Sequence, residues 1–252
     1  MDHIVKILEI KEAAHQVKSF RIEKPRDFTF VPGQATDVSV NSATLKNELR
    51  PFTFTCLTSD PFLEFTIKRY PDHHGVTDAI HNLKTGDELI IRDVWGAIAY
   101  KGPGYFIAGG AGITPFLAIL RWLYKENKLA GNTLLFSNKT VADIIYEKEL
   151  QTMLGKQALF ILTREEQAGY LKGPINKVFL QQHIRDIKQH FYICGPDAMV
   201  AAMSATLAEM GAVSAELLIK TIESKRPVTE FETRVLPAEL FIRDSSGKKK
   251  KK

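Results

Sequence analysis

Along the first hundred residues, apolar side chains recur at alternate positions in short runs. Val5, Ile7 and Ile10 set the pattern near the start, and Val17, Phe20 and Ile22 follow. Phe28-Thr29-Phe30-Val31 ends at the turn pair Pro32-Gly33, and residues 36–40 alternate with period two. Phe52-Thr53-Phe54-Thr55 and residues 63–67 do the same, and Leu89-Ile90-Ile91 follows the turn Thr85-Gly86-Asp87. Period-two alternation turns one strand face to a core and the other to water. Several such strands separated by turn residues predict an antiparallel barrel or sandwich. One short helix is expected over residues 77–83, with Thr77 as its N-cap.

The pattern changes at Lys101-Gly102-Pro103-Gly104. Beyond it, apolar strands at residues 105–108, 133–136, 159–162 and 191–194 alternate with helical stretches at 115–127, 141–150, 177–184 and 196–210. In the first of these helices Phe116, Ile119, Leu120 and Leu123 share a face, and Gly211 stands where the last one ends. Alternating strands and helices predict a doubly wound, parallel α/β sheet. The fold class is therefore two-domain: residues 1–101 a β-barrel, residues 102–226 an α/β domain. Residues 227–252 form a C-terminal extension. Residues 216–222 read as a last strand, and residues 231–241 as an added hairpin, an extension that pairs elsewhere or a flap.

Composition changes the picture little. Of 252 residues, 44% are hydrophobic and 25% charged, which are globular values. The five lysines 248–252 account for the whole formal net charge of +5, so the body is neutral and its pI does not argue for a nucleic-acid partner. The lysine run reads as a solvated tail. Two cysteines far apart, Cys56 and Cys194, are too few for a zinc or iron–sulfur site or a disulfide framework. His73-His74 read as surface residues, so no metal is expected. No signal-peptide core or uninterrupted apolar span of about 20 residues is present, so the expectation is a cytoplasmic protein without a membrane partner.

Two segments carry candidate chemistry. Gly109-Gly110-Ala111-Gly112-Ile113-Thr114-Pro115 lies between an expected strand and helix. Glycines let backbone N–H groups approach a pyrophosphate, and the helix N-terminus adds partial positive charge. Pro115 suits the first helical turn, and Thr114 is a candidate cap. Pro115 stands where the dinucleotide fingerprint G-x-G-x-x-G has its last glycine, so that fingerprint is absent. Cys194-Gly195-Pro196-Asp197-Ala198-Met199 is again strand, turn, helix. Ligands of open parallel sheets bind at such carboxyl ends. Cys194 would position a reacting carbon rather than attack it, since no histidine partner is evident.

The glycine turn resembles the G-x-G-I-T-P motif of the ferredoxin–NADP reductase family, and Cys194-Gly195-Pro196 resembles its C-G-P motif. Arg50-Pro51-Phe52-Thr53 resembles the family's R-x-Y-S/T flavin motif, with Phe52 in place of the usual tyrosine. Phe30-Val31-Pro32-Gly33-Gln34 is similar to its F-x-P-G-Q turn. Ile67-Lys68-Arg69 followed by Gly75-Val76-Thr77 resembles the second flavin segment, with Asp78 an unusual negative charge beside it. The matches occur in family order and span residues 30–199.

The resemblance implies a flavin-dependent NAD(P)H oxidoreductase with a flavin-binding barrel and a nicotinamide-binding α/β domain. It implies that Arg50 pairs with a flavin phosphate, Phe52 lies against the flavin ring and Thr53 bonds near flavin N5. Thr53 and Cys194 would be the catalytic residues. Gly110, Gly112, Ile113, Thr114, Pro115, Gly195, Pro196, Asp197 and Met199 would bind the coenzyme. Ser137-Asn138-Lys139, after the second strand of the α/β domain, would meet the adenosine ribose. Lys139 would favour a 2′-phosphate and hence NADPH, whereas the segment also resembles NADH-using members. FAD is the expected flavin and FMN the alternative. Glu223 is a candidate acidic residue near the site. The implied partner is a separate flavodoxin or ferredoxin. A free-flavin or diaphorase-type reductase and a non-catalytic nucleotide-sensing module are the alternatives.

Overall fold

The computed structural model describes residues 1–71, 75–96, 98–212, 215–218 and 233–235. His73, His74, Glu223 and Lys248 to Lys252 lie outside the described residues, as does the rest of the C-terminal extension except 233–235.

The alternating runs become six strands: β1 (His3–Ala14), β2 (Val17–Glu23), β3 (Ala35–Val40), β4 (Arg50–Thr53), β5 (Phe62–Lys68) and β6 (Glu88–Trp95). Their spatial order is β4-β3-β6-β1-β2-β5, with antiparallel pairing throughout. A bridge between Phe54 and Phe65 joins the two edges and closes the sheet into a barrel. Inward-facing Phe20, Ile22, Phe54, Leu63 and Phe65 are fully buried and form its core.

Two local expectations fail here. Residues 28–31 are irregular rather than a strand, because Asp27 takes the left-handed conformation (φ 62°) and Phe28 N–H turns back to the Pro25 carbonyl. Phe30 still reaches the core, 4.4 Å from the Phe54 ring centroid. Helix α1 spans Val76–His81 with Gly75, not Thr77, at its N-cap. Val76 is drawn into the barrel core, so the helix begins one residue before Thr77.

The second sheet contains β7 (Gly104–Gly109), β8 (Thr133–Asn138), β9 (Ala158–Leu162), β10 (Leu171–Lys172), β11 (His190–Cys194), β12 (Ala215–Leu218) and β13 (Thr233–Val235). The order is β10-β9-β8-β7-β11-β12-β13. Pairing is parallel from β10 to β12. β13 turns back antiparallel onto β12, so part of the extension extends this sheet. Helices α2 (Thr114–Lys125), α3 (Glu147–Leu154), α4 (Lys177–His183) and α5 (Asp197–Glu209) complete the domain. Two separate apolar layers cover the sheet faces. One is built around Phe116, Leu120 and Phe136, the other around Phe179, Leu180 and Leu207. This is the doubly wound arrangement.

The helix expected over residues 141–150 divides into a 3-10 turn at Val141–Asp143 and α3. Tyr146 causes the break by adopting φ 52°. Its ring lies 5.0 Å from the Arg121 guanidinium and its hydroxyl 3.4 Å from Thr66 Oγ1. Contacts across the domains thus override local helix periodicity.

Arg121, on α2, fastens the two sheets together. Its guanidinium donates to Glu149 on α3 in a bidentate pair (2.6 and 2.9 Å), to Glu64 Oε1 on β5 (2.9 Å) and to the Thr55 carbonyl. Glu64 also accepts from Arg21 on β2 at 3.1 Å and from the Thr55 hydroxyl at 3.0 Å. The side chains of Arg121 and Glu64 are only 17% and 6% exposed. Burial opposes charge on Arg121, but its bonds to Glu149 and Glu64 outweigh that and raise its pKa. Tyr192, on β11, secures the connection between the sheets: its hydroxyl accepts from the Lys101 and Gly102 N–H groups and donates to the Gly102 carbonyl.

Packing at the carboxyl ends is equally tight. A Cβ on Gly112 would lie 2.2 Å from the Cys194 carbonyl oxygen and 2.7 Å from Gly195 Cα. Glycine is required there because only backbone surrounds it. Gly110 differs: its φ is +52°, but a Cβ would meet nothing within 4 Å.

Two outcomes follow for stability. Arg121→Met should cost about 3 kcal/mol in urea unfolding, because Glu64 is left buried with one partner lost; a negligible change would show that the domains are held otherwise. Gly112→Ala should cost about 3 kcal/mol through forced backbone displacement, whereas Gly110→Ala should cost only about 1 kcal/mol for its left-handed backbone. Equal melting temperatures for the two glycine variants would contradict the packing argument.

Candidate active site

A cleft of about 700 Å³ runs between the barrel and the carboxyl ends of the parallel strands. The barrel contributes His15 and Gln16 from the β1–β2 turn and Lys68, Arg69, Tyr70 and Pro71 from the end of β5. The α/β domain contributes Gly109 to Ala111 after β7, Ser137, Asn138 and Lys139 at the end of β8, and Pro196 and Met199 after β11. Each strand ends here because the polypeptide must turn into a helix, and those turns expose backbone N–H groups.

The two motif turns touch each other beneath this cleft. β7 and β11 are neighbours, pairing Ala108 with Cys194. A Cβ on Gly109 would strike the Met199 sulfur at 2.5 Å and Pro196 Cδ at 3.0 Å. Gly109 is therefore closed in by Met199 and Pro196, and the glycine cradle opens at Gly110, where a Cβ would meet nothing within 4 Å. The 3-10 turn Gly110–Ile113 leads into α2.

Several expected site residues lie under the cleft rather than on it. Thr114 is the first residue of α2 and not its cap, and its hydroxyl donates to the Ala111 carbonyl at 3.0 Å. The 3-10 turn replaces side-chain capping, which is the reason. Gly112, Ile113, Pro115, Gly195 and Cys194 are buried in the same layer. Cys194 marks the carboxyl end of β11 as expected, but it is fully buried and does not line the cleft. Asp197 begins α5 and is exposed.

The flavin-motif residues form a second group. Phe52 and Thr53 on β4 are buried, and the Phe52 ring centroid lies 6.1 Å from that of Phe65. The Arg50 side chain is 38% exposed and 3.9 Å from Glu48, with one bond to the adjacent Leu49 carbonyl. Pro51 is half-buried, and Gly75, Val76 and Thr77 begin α1. None of these lines the cleft. Ile67 is buried, and its carbonyl accepts from the Nε2–H of buried His81 at 2.8 Å. Burial holds His81 below its ordinary pKa, keeping that donor neutral. Arg69 is not idle cationic surface, because Asp78 grips its Nε at 2.6 Å. The charge that looked misplaced beside an anion site therefore orients an arginine instead.

Asn138 is the most informative residue. It is 4% exposed, yet neither Oδ1 nor Nδ2 of its carboxamide has a hydrogen-bond partner. A buried amide without partners costs about 1–3 kcal/mol. Its own backbone carbonyl is satisfied by Thr163. The carboxylates nearby are occupied: Asp143 accepts from the Thr140 N–H and hydroxyl, and Glu165 from the Val141 N–H. Lys68 and Lys139 make no ion pair among the described residues. Open glycine backbone, an unpaired buried amide and lysine cations suit a phosphorylated, hydrogen-bonding ligand, as a dinucleotide is. Half-exposed Arg50 and the aromatic, hydroxyl-bearing β4 suit a flavin phosphate and ring.

His15, Gln16, Tyr70, Asp143 and Thr163 were not singled out by sequence patterning. A hairpin tip or turn has no local signature of the domain it will face. Among the described residues no three His, Cys, Asp or Glu side chains are grouped to hold a metal, and no helix is long and apolar enough to cross a membrane.

Comparison with known proteins agrees with this architecture. Residues 106–205 match the oxidoreductase NAD-binding domain family. The chain is 27% identical to the glycine betaine monooxygenase reductase subunit of Pseudomonas aeruginosa, covering 94% of this chain and 69% of that protein. It is 26% identical to the NADH-cytochrome b5 reductase 1 of Aspergillus oryzae, covering 90% and 82% respectively. Its fold resembles that of a ferredoxin NADP+ reductase from Neisseria gonorrhoeae solved with bound FAD and NADP, at a TM-score of 0.71, 20% identity and coverage of 83% of this chain and 92% of that one. Residues 106–205 thus match an oxidoreductase NAD-binding domain, in a chain whose relatives include named reductases and whose fold is shared with a ferredoxin NADP+ reductase.

Proposed function

We propose that this protein is an NAD(P)H-dependent flavoprotein reductase that passes electrons from a nicotinamide coenzyme, through FAD, to a separate electron-carrier protein. The observation that carries this reading is the cleft between barrel and parallel sheet, where the glycine cradle and the unpaired Asn138 amide face barrel residues Lys68 to Pro71. Residues 1–101 are assigned to the flavin and residues 102–226 to the coenzyme. When bound, the nicotinamide coenzyme and the flavin would supply the hydride-transfer chemistry.

The protein's own residues bind, orient and exclude water. Backbone N–H groups at Gly109 to Ala111 receive pyrophosphate. Asn138 gains the hydrogen bonds it lacks when a ribose or phosphate enters. Met199 and Pro196 pack against Gly109 and brace the cradle, while Cys194 supports it from beneath. Arg50 and Lys68 take flavin phosphate, and Thr53 donates a hydrogen bond toward the flavin edge. The tie from Arg121 to Glu64 holds the two binding surfaces in register, the condition for transfer between bound groups.

Two relatives are by name the reductase subunit of a monooxygenase and a cytochrome b5 reductase, which supports a separate protein acceptor. A flavodoxin or ferredoxin remains our choice among acceptors.

The direct test is the visible spectrum of the FAD-loaded protein during anaerobic addition of NADPH and, separately, NADH. We expect the flavin band to bleach with at least one of them. A protein that neither retains flavin nor oxidises coenzyme would overturn the reading. Asn138→Leu separates binding from folding. It should raise the stability of the ligand-free protein by about 1 kcal/mol, since an unpaired amide is removed. It should also weaken coenzyme binding roughly tenfold. Unchanged coenzyme affinity would remove Asn138 from the site.

A further inference from the structure

The β1–β2 turn belongs to the barrel by connection but to the α/β domain by packing. Ala13 and Ala14 rest against the apolar layer formed by α2 and the parallel sheet, and Val17 is buried within it. His15 N–H donates to the Ala142 carbonyl at 2.8 Å, in the turn that follows β8. Arg69 N–H donates to the Gln16 carbonyl at 2.8 Å, and Gln16 holds a left-handed φ of 55°. The backbone of the tip is thus anchored from three directions.

The two side chains on this anchored backbone are not used by the protein itself. His15 and Gln16 are exposed, and among the described residues neither side chain makes a hydrogen bond. Both line the cleft, along with Asn138 and Lys139 of the α/β domain. Two polar side chains with fixed backbones therefore share a cleft with a buried amide that also lacks partners. A ligand whose phosphates occupy the Gly109 to Ala111 cradle would extend along the strand ends past the neighbouring β8, since β7 and β8 are paired.

Resting on the reading above, we propose that His15 and Gln16 form the barrel-side wall of the subsite for the adenosine phosphate half of the nicotinamide coenzyme. The imidazole and the carboxamide hydrogen-bond to the base and ribose from one side, and Asn138 and Lys139 from the other. The coenzyme is then held by both domains, and affinity depends on a segment outside the NAD-binding domain. An adenosine phosphate is also part of FAD. The placement beside β8 of the coenzyme domain favours the nicotinamide coenzyme as its source.

The test uses FAD-loaded protein and whichever of NADH or NADPH reduces it faster. The variants are His15→Ala and Gln16→Gly; glycine keeps the left-handed backbone. Together they should raise the KM for that coenzyme on the order of tenfold, as two lost hydrogen bonds would, with little change in kcat. Turnover of reduced nicotinamide mononucleotide, which lacks the adenosine half, should be the same in the variant and the original protein. An unchanged coenzyme KM overturns the proposal. So does an equal loss with the mononucleotide, which would place the effect at the nicotinamide. Loss of FAD with unaltered coenzyme KM assigns the wall to the flavin's adenosine and overturns it too. Failure of the unaltered protein to oxidise any coenzyme would instead refute the reductase reading, so the two failures are distinct.

Discussion

A guanidinium placed between two sheets must satisfy its donors from both, and Arg121 does so in one arrangement of the domains. Its bidentate pair to Glu149 keeps it aligned within the α/β domain, and its bonds to Glu64 and Thr55 reach into the barrel. Glu64 is in turn shared with Arg21. A displacement of the domains would strand buried charges on both sides, a far larger cost than losing an exposed ion pair. The width of the cleft is therefore set by chemistry remote from the ligand.

Around that tie, the site is assembled from groups that cannot form it separately. The α/β domain supplies the strand ends and their turns, where ligands of open parallel sheets bind. The close backbone approach at Gly112 locks the turn after β7 onto the turn after β11, so the cradle and the segment containing Met199 are one rigid unit. The barrel supplies the facing wall through β5 and the β1–β2 turn. Rigid supports beneath and polar, unpaired groups above give a preorganised surface, whose cost is visible in the unsatisfied amide of Asn138.

Electrostatics on this surface is arranged by pairing as much as by composition. Asp78 aligns Arg69, and the Asp143 and Glu165 carboxylates are taken up by backbone donors of the 140–143 turn. Lys68 and Lys139 are left as cations on a protein body with no net charge of its own. An anionic ligand is favoured locally without a strongly basic protein, which agrees with a small-molecule coenzyme better than with a polyanion.

The sequence by itself determined the elements and their class. Alternating positions such as those of residues 36–40 and 63–67 gave barrel strands, and the strand–helix alternation after residue 104 gave the parallel sheet, because burial of one face leaves a periodic trace. The glycine and C-G-P turns were legible because tight turns demand particular residues. Tertiary structure decided what has no such trace. Asp27 and Tyr146 took left-handed conformations that broke an expected strand and an expected helix. Cys194 was buried beneath the turns rather than presented at the cleft, and Arg50 and Phe52 were set apart from it. The turn at His15 and Gln16 was carried onto the other domain. Such contacts join residues distant in sequence, and the energy that fixes them, from apolar burial to the bonds of Arg121, exists only after both domains have packed.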